Sequence, residues 1–363
     1  MSATHVWFSG GGTGGHLYPG LAIARALQRL RPEVQPFFVG ALRGIERDVL
    51  PTTEFPHLLL DLHPLYRPQV WKNWQTLRGA LASWSKLDAA ARTRPPKLVV
   101  GTGGYAAGLA LLWAWRRGIP AVQHIGDAVP GITARWGARV TQENFLGFPE
   151  AARYLSAARG TMRASGNPIE PPPDIRPAAA EARARWGFPA HAKVLLVFGG
   201  SQGARALNQA VASWVEQGIP SGLCVLWATG KAQFDSYSQF DRADVRVLPY
   251  LSPIAEAYAA ADAALVRGGM MGTSELCAWG IPSVIVPLPS AANDHQTANA
   301  RVLESAGAAR CLPQTELSAE RLAREFGELF GDPARLAAMA DAAKARGRPQ
   351  AAAEIARDIA AYL

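Results

Sequence analysis

The chain has 363 residues, of which 49% are hydrophobic and 18% charged. That is enough apolar material for two cores of ordinary size and too little unbalanced charge for a disordered polymer. Its net charge of +8 is unevenly spread: residues 1–165 carry 19 Lys and Arg against 9 Asp and Glu, a net of +10, while residues 166–363 carry 18 against 20, a net of −2. An anionic partner is therefore expected on the first half. Cys224, Cys277 and Cys311 are odd in number, far apart and without metal-ligand spacing, the usage of reduced thiols in a cytoplasmic protein. The N-terminus has no basic segment followed by an apolar core, so no signal peptide is expected. No apolar stretch reaches the roughly 18 residues that span a bilayer, so any membrane contact should be peripheral.

Short apolar runs alternate with helix-like stretches along the chain. Strands are predicted at His5–Phe8, Pro36–Val39, Leu58–Asp61, Leu98–Val100 and Ala121–His124, then at Val194–Phe198, Cys224–Ala228, Val245–Leu248, Ala263–Val266 and Ser283–Val286. Each is apolar on successive residues, as in parallel strands buried on both faces. The alternation implies βαβ units and doubly wound parallel sheets. It occurs twice, on either side of Gly166–Asp174, where Pro168, Pro171, Pro172 and Pro173 break any helix or central strand. The reading is an N-terminal domain at 1–165, a Pro-rich linker at 166–177 and a C-terminal domain at 178–349. A last helix at 350–363 has no strand after it and is free to pack back on the first domain.

Three glycine-rich turns follow strands: Ser9–His16, Gly101–Gly108 and Phe198–Ala204. Such a turn lets the backbone approach an anion and aims the unpaired N–H groups of the next helix at it. In open α/β sheets this is also where ligands bind. A nicotinamide-binding reading fails because no acidic residue ends the strand Pro36–Val39, and a Walker loop fails because the chain has no Gly-Lys-Ser/Thr. A second concentration of polar residues runs from Arg267 to Asn299. Glu275, one turn into a Gly-rich helix start, is suited to accept two hydrogen bonds from vicinal ribose hydroxyls. Asp294, His295, Gln296 and Asn299 form a further cluster whose amides suit sugar hydroxyls.

Taken in order, Gly11–His16, Gly103–Gly104–Tyr105, Gly166–Asn167–Pro168, Gly199–Ala204, Ser274–Glu275 and Asp294–His295–Gln296 resemble the MurG family, the bacterial N-acetylglucosaminyltransferases of peptidoglycan synthesis. The resemblance covers essentially the whole chain. It implies a GT-B glycosyltransferase fold, two Rossmann-like doubly wound parallel-sheet domains facing a cleft. The C-terminal domain would bind UDP-GlcNAc and the N-terminal one the acceptor. It implies an inverting transfer to the C4 hydroxyl of the muramoyl sugar of lipid I, giving lipid II and UDP, with no cofactor and no metal. Carried over by position, Ser201, Gln202 and Gly203 should meet the diphosphate, and Leu251 should offer backbone to uracil. Met270, Met271, Gly272, Thr273, Ser274 and Glu275 should surround phosphate and ribose, with Gln296 and Asn299 at the donor sugar. Thr13, Gly14, Gly15, His16 and Tyr105 should lie toward donor sugar and acceptor. The sequence departs from the family pattern at Ile125, where a carboxylate is usual, at Glu170, where an arginine is usual, and at Gly268 and Gly272. Those departures leave room for a different lipid acceptor, or for a degenerate sugar-nucleotide-binding protein without turnover.

Displacing UDP needs a base for the incoming hydroxyl and charge stabilisation for the leaving diphosphate. The third glycine turn and Gly268–Gly272 offer backbone N–H groups for the second task. His16 is the expected base, since a helix N-terminus disfavours the imidazolium. Asp127, two positions from the departure at 125, is the alternative.

The expected lipid-facing surface is built on Trp71, Trp74, Leu77, Leu81, Trp84 and Trp113. Trp74, Leu77, Leu81 and Trp84 share a helical spacing, and Arg67, Lys72, Arg78, Lys86, Arg116 and Arg117 lie near them in sequence. Indole rings favour the bilayer interface and Lys/Arg favour anionic headgroups. The expectation is a peripheral protein on the cytoplasmic face of the inner membrane, meeting an undecaprenyl-linked acceptor. Nucleic acid is not expected, because no recognition motif accompanies the charge.

Overall fold

The computed structural model describes residues 4–62, 73–200 and 203–363. They divide into two compact units, 1–170 with 350–363, and 171–349. The segment 166–170 thus belongs to the first unit, and only the part of the Pro-rich stretch from 171 onward goes with the second.

In the first unit the strands are β1 (Thr4–Gly10), β2 (Val34–Ala41), β3 (His57–Leu60), β4 (Pro96–Gly103), β5 (Ala121–Ile125), β6 (Glu143–Leu146) and β7 (Thr161–Arg163). They form one parallel sheet in the order β3-β2-β1-β4-β5-β6-β7. The helices are α1 (Gly14–Leu30), α2 (Glu46–Val49), α3 (Asn73–Thr93), α4 (Gly104–Arg116) and α5 (Ile132–Gly137). The second unit has β8 (Lys193–Phe198), β9 (Leu223–Ala228), β10 (Val245–Leu248), β11 (Ala263–Val266), β12 (Ser283–Ile285) and β13 (Ala309–Cys311), again all parallel, in the order β10-β9-β8-β11-β12-β13. Its helices are α6 (Ala179–Arg185), α7 (Arg205–Gln217), α8 (Phe234–Tyr237), α9 (Ile254–Ala260), α10 (Met270–Trp279), α11 (His295–Ser305), α12 (Ala319–Gly331) and α13 (Pro333–Arg346). The final helix, α14 (Ala351–Ala360), belongs to the first unit.

The successive apolar residues of β1 are explained by the two faces they serve. Val6 and Phe8 pack under α1 and α14 with Leu17, Leu27 and Ile355, whereas Trp7 packs on the other face with Val99, Leu111 and Trp113. β8 and β9 do the same in the second unit, where Leu195, Val197, Val225 and Trp227 meet Leu207, Val211 and Phe326. The ten expected strands are present. β6, β7 and β13 were not expected: they are short, lie toward the sheet edges and carry polar residues such as Glu143, Asn144, Arg163 and Arg310.

In each sheet the strand order reverses once, between β1 and β4 and between β8 and β11. Ligands of open α/β sheets bind beside that reversal, past the carboxyl ends of the strands. All three glycine turns and Gly268–Gly269 follow these four strands, so topology alone brings them to the two switch points.

Helix α14 lays Ile355, Ala356 and Ile359 into the first core. It is also tied to the sheet edge, where Arg163 pairs with the buried Glu143 and lies 3.5 Å from Asp358. Truncating a buried isoleucine costs about 2–5 kcal/mol. Ile355→Ala should therefore lower the stability of the first unit by that amount and spare the second. Amide exchange of α1 against α7 under mild denaturant checks this; an equal loss of protection in both would contradict it.

Candidate active site

The amino-terminal site is made by two glycine turns that interlock. The Gly11 N–H donates to the Gly103 carbonyl at 3.2 Å. The Thr102 hydroxyl donates to the His16 carbonyl at 2.7 Å. Gly104 has a φ of +79°, and a Cβ there would sit 2.0 Å from the Gly11 oxygen. At Gly103, with φ +106°, a Cβ would sit 2.4 Å from the His16 ring. Glycine is therefore required at both positions by conformation and by contact.

His16, in the first turn of α1, places its Nδ1 3.2 Å from the Gly11 carbonyl and 3.4 Å from the Thr13 hydroxyl. A carbonyl only accepts, so a hydrogen bond in this contact requires the proton on Nδ1. Thr13 is the residue before α1, with Gly14 and Gly15 its first two positions. Tyr105, half-buried in the first turn of α4, lies beside Gly12, and its hydroxyl is raised by burial and by the nearby Glu46 charge. Asp127 is half-buried just past β5.

Beneath this surface lies a histidine that motif reading did not single out. His124 is fully buried at the end of β5, beside Gly166 and Asn167. Burial pushes its imidazole down to about 4, with His16 acting in the same direction. Its neighbour Ile125 packs with Ala138, Leu146 and Leu155 in a small apolar cluster. Glu46 was also missed. It is fully buried and accepts hydrogen bonds from the Gly12 N–H (2.9 Å) and the Ala41 N–H (3.0 Å).

In the second unit a concave cavity of about 620 Å³ opens where α7 and α10 begin. It is lined by Gly199, Gly203, Arg205, Arg267, Gln296 and Gln314, among others, a size and mix of groups suited to a small polar ligand. Gly203 and Ala204 lead into α7 and Gly269 into α10, so two helix N-termini open at one cavity. Each presents unpaired N–H groups and a positive partial charge to an anion. Arg267 donates to the Val286 and Pro287 carbonyls (3.1 and 3.2 Å) and to Gln314 Oε1 (2.8 Å). Gln296 Oε1 accepts from the Leu288 N–H at 3.0 Å, which holds that side chain at the rim. Ser201 and Gln202 lie outside the described residues.

Within α10, Met270 and Thr273 face the core, and the Thr273 hydroxyl donates back to the Gly269 carbonyl at 2.9 Å. What these two offer a ligand is backbone. Met271, Gly272, Ser274 and Glu275 are half-buried. Glu275 Oε2 accepts from the Tyr258 hydroxyl at 2.6 Å, and burial together with the Glu275 charge holds that phenol well above its ordinary value, so it remains a donor. Leu251 is buried after the exposed Tyr250. Asn299 is a correction: its side chain is wholly buried and donates to the Gly268 carbonyl at 3.0 Å, so it shapes the glycine turn from beneath and has no surface to give a sugar. The departure at Gly268 has a packing cause, and that at Gly272 sits against a neighbouring ring. A Cβ at 268 would meet the Gln296 carbonyl at 2.5 Å, and one at 272 would meet the Phe198 ring at 3.2 Å.

The expected lipid-facing surface is corrected in part. Trp113 is 1% exposed, stacks on Trp7 at 5.1 Å, and donates its indole N–H to Asp88 at 2.8 Å. It is a core residue. Trp84 is partly buried against the same core, whereas Leu81 is 65% exposed. Trp71 and the side chains of Trp74 and Leu77 lie outside the described residues. The exposed apolar side chains of this unit include Leu112 and Trp115 on α4 and Ile132 and Trp136 on α5. Arg116, Arg117, Arg135 and Arg139 alternate with them along the chain. Among the described residues no helix is long and apolar enough to cross a membrane.

Residues 6–145 match the N-terminal domain of glycosyltransferase family 28, and residues 194–355 match its C-terminal domain. A protein of Salinibacter ruber named UDP-N-acetylglucosamine--N-acetylmuramyl-(pentapeptide) pyrophosphoryl-undecaprenol N-acetylglucosamine transferase is 38% identical over 99% of this chain and 97% of its own. The chain belongs to the MurG family. A relative of the same name from Desulforudis audaxviator is 38% identical over 95% of each chain. The crystal structure of Acinetobacter baumannii MurG matches 99% of both chains with a TM-score of 0.76 at 28% identity. The fold is accordingly GT-B, and the MurG-family resemblance read from the glycine turns is confirmed.

The buried His124 gives a pH test. Its folded value near 4 lies below its ordinary 6.5, so between those values the unfolded chain binds the proton more readily and stability is lost on acidification. The full effect is about 3 kcal/mol. His124→Gln should remove that much of the stability difference between pH 7 and pH 4, measured by urea unfolding. Identical pH dependence in the two proteins would contradict a neutral buried imidazole.

Proposed function

We propose that the chain transfers N-acetylglucosamine from UDP-GlcNAc to the muramoyl sugar of undecaprenyl-pyrophosphoryl-MurNAc-pentapeptide, lipid I, giving lipid II and UDP. The observation that carries this reading is end-to-end similarity to relatives named for that reaction, joined to an anion-suited cavity in the unit that matches the family's C-terminal domain.

The residue chemistry supports it. The leaving diphosphate gains negative charge as the bond to the anomeric carbon breaks. The N-terminal N–H groups of α7 and α10 and the Arg205 guanidinium are placed to take up such charge at the cavity. Glu275, oriented by Tyr258, is suited to hold the ribose hydroxyls. The incoming hydroxyl forms the new C–O bond on the opposite face of the sugar, which inverts the anomeric centre, and gives its proton to His16 Nε2. Asp127 is the second candidate for that proton.

Membrane association is proposed to be peripheral, on the cytoplasmic face. Trp115, Trp136, Leu112 and Ile132 would enter the interface, with the neighbouring arginines on anionic headgroups. The buried thiols Cys224, Cys277 and Cys311 suit a reducing compartment.

The test is turnover of purified protein with UDP-GlcNAc and lipid I. His16→Ala should lower kcat by about 100- to 10,000-fold, the range of a lost general base, with donor affinity retained. Glu275→Ala should raise the donor KM by about 10- to 100-fold through loss of charge-assisted hydrogen bonds. Transfer to another lipid but not to lipid I, or UDP binding without product, would overturn the assignment of acceptor or of catalysis.

A further inference from the structure

Glu46 is a costly residue to bury, and its surroundings are made to admit it. A Cβ at Gly11 would lie 1.6 Å from Oε1, one at Gly44 2.0 Å from Oε2, and one at Gly40 2.9 Å from the Glu46 Cβ. Among the described residues the other buried glutamates, Glu143 and Glu325, are paired with arginines. Glu46 has no ion pair among the described residues and relies on two backbone N–H groups, those of Gly12 and Ala41. A buried carboxylate without a cation carries a desolvation cost that an apolar side chain of similar size avoids. Filling space therefore does not account for it.

The geometry at Gly12 does. The Gly12 N–H and the Gly11 C=O are opposite edges of one planar peptide group. Glu46 Oε2 accepts from that N–H at 2.9 Å, and the carbonyl on the other edge lies 3.2 Å from His16 Nδ1. Carboxylate, peptide and imidazole form one hydrogen-bonded chain. We propose that Glu46 is a positioning residue that fixes the orientation and tautomer of His16 through the Gly11–Gly12 peptide. The carboxylate pins the peptide plane. By drawing on its N–H it strengthens the carbonyl as an acceptor, since bonds in such a chain polarise one another. The strengthened carbonyl holds the proton on Nδ1 and leaves Nε2 as the acceptor. The logic is that of a carboxylate orienting a catalytic histidine, with a peptide group inserted between the two. No proton passes through the peptide.

This inference rests on His16 acting as base, and the experiment separates the two. The full chain is labelled with 15N-histidine, and the His16 ring signals, identified by their loss in His16→Ala, are read at a pH where the ring is neutral. In the parent protein Nδ1 should show the protonated-type shift and Nε2 the unprotonated type. Glu46→Gln keeps the size but sets one acceptor and one NH2 group against two N–H donors, so the two tautomers should mix. Its kcat should fall by about 10- to 100-fold, the scale of lost orienting partners, with the donor KM within about twofold. In the His16→Ala background the same change should lower kcat by less than about twofold, because residues that act as a unit are non-additive. An Nε2-protonated His16 in the parent protein overturns the proposal without any variant. So does an unchanged tautomer in Glu46→Gln, or a full additive loss in the double variant. If His16→Ala alone turns over normally, the base reading falls, while the ring shifts still decide the coupling to Glu46.

Discussion

Where the strand order reverses in the first unit, two backbone turns approach so closely that no side chain fits between them. The Gly11 N–H reaches the Gly103 carbonyl at 3.2 Å, and Gly104 passes over the Gly11 oxygen where a Cβ would stand only 2.0 Å away. Once the turns are closed in this way, the remaining features of the site follow. The Thr102 hydroxyl takes the His16 carbonyl, the His16 ring takes the Gly11 carbonyl, and Glu46 enters from behind to take the Gly12 N–H. The second unit repeats the constraint with other partners. A Cβ at Gly203 would meet the Thr229 carbonyl at 2.1 Å, and one at Gly268 would meet the Gln296 carbonyl at 2.5 Å. There the result is two helix N-termini opening at a cavity in place of a fixed imidazole.

The difference between the two sites is electrostatic. In the first unit a Gly12 N–H that could have met an anion is given to a carboxylate. In the second, the cavity is lined by Arg205 and Arg267, and Glu275 on α10 accepts from the Tyr258 hydroxyl. On the proposed function the diphosphate binds in the second unit and the proton acceptor is supplied by the first. In the basic first half, Arg116, Arg117, Arg135 and Arg139 are interleaved with exposed Trp115 and Trp136.

Central strands were legible because burial on both faces leaves runs such as Val6–Trp7–Phe8, whose residues serve two cores. The edge strand β7 was not, since its three residues are exposed and read only Thr-Met-Arg. The glycine turns could be found because the absence of side chains is itself a pattern. Trp113 was misassigned because nothing local reveals that Asp88, 25 residues earlier, accepts its indole N–H. Glu46 was missed for a related reason: its two partners, the Gly12 N–H 34 residues away and the Ala41 N–H, are backbone groups, which no motif records. Asn299 and Thr273 sit inside motif-like segments yet spend their polar atoms on the turn before α10. Spacing identifies such segments but not which side of the backbone each side chain takes.

The central claim is that backbone N–H groups at the starts of α7 and α10 hold the nucleotide diphosphate. Amide hydrogen exchange of the whole chain, with and without saturating UDP, tests it most directly. Slowed exchange at Gly203–Ala206 and Gly269–Gly272, with the turns at 10–16 and 101–104 unchanged, is the expected result. Protection confined to the turns of the first unit would contradict the account.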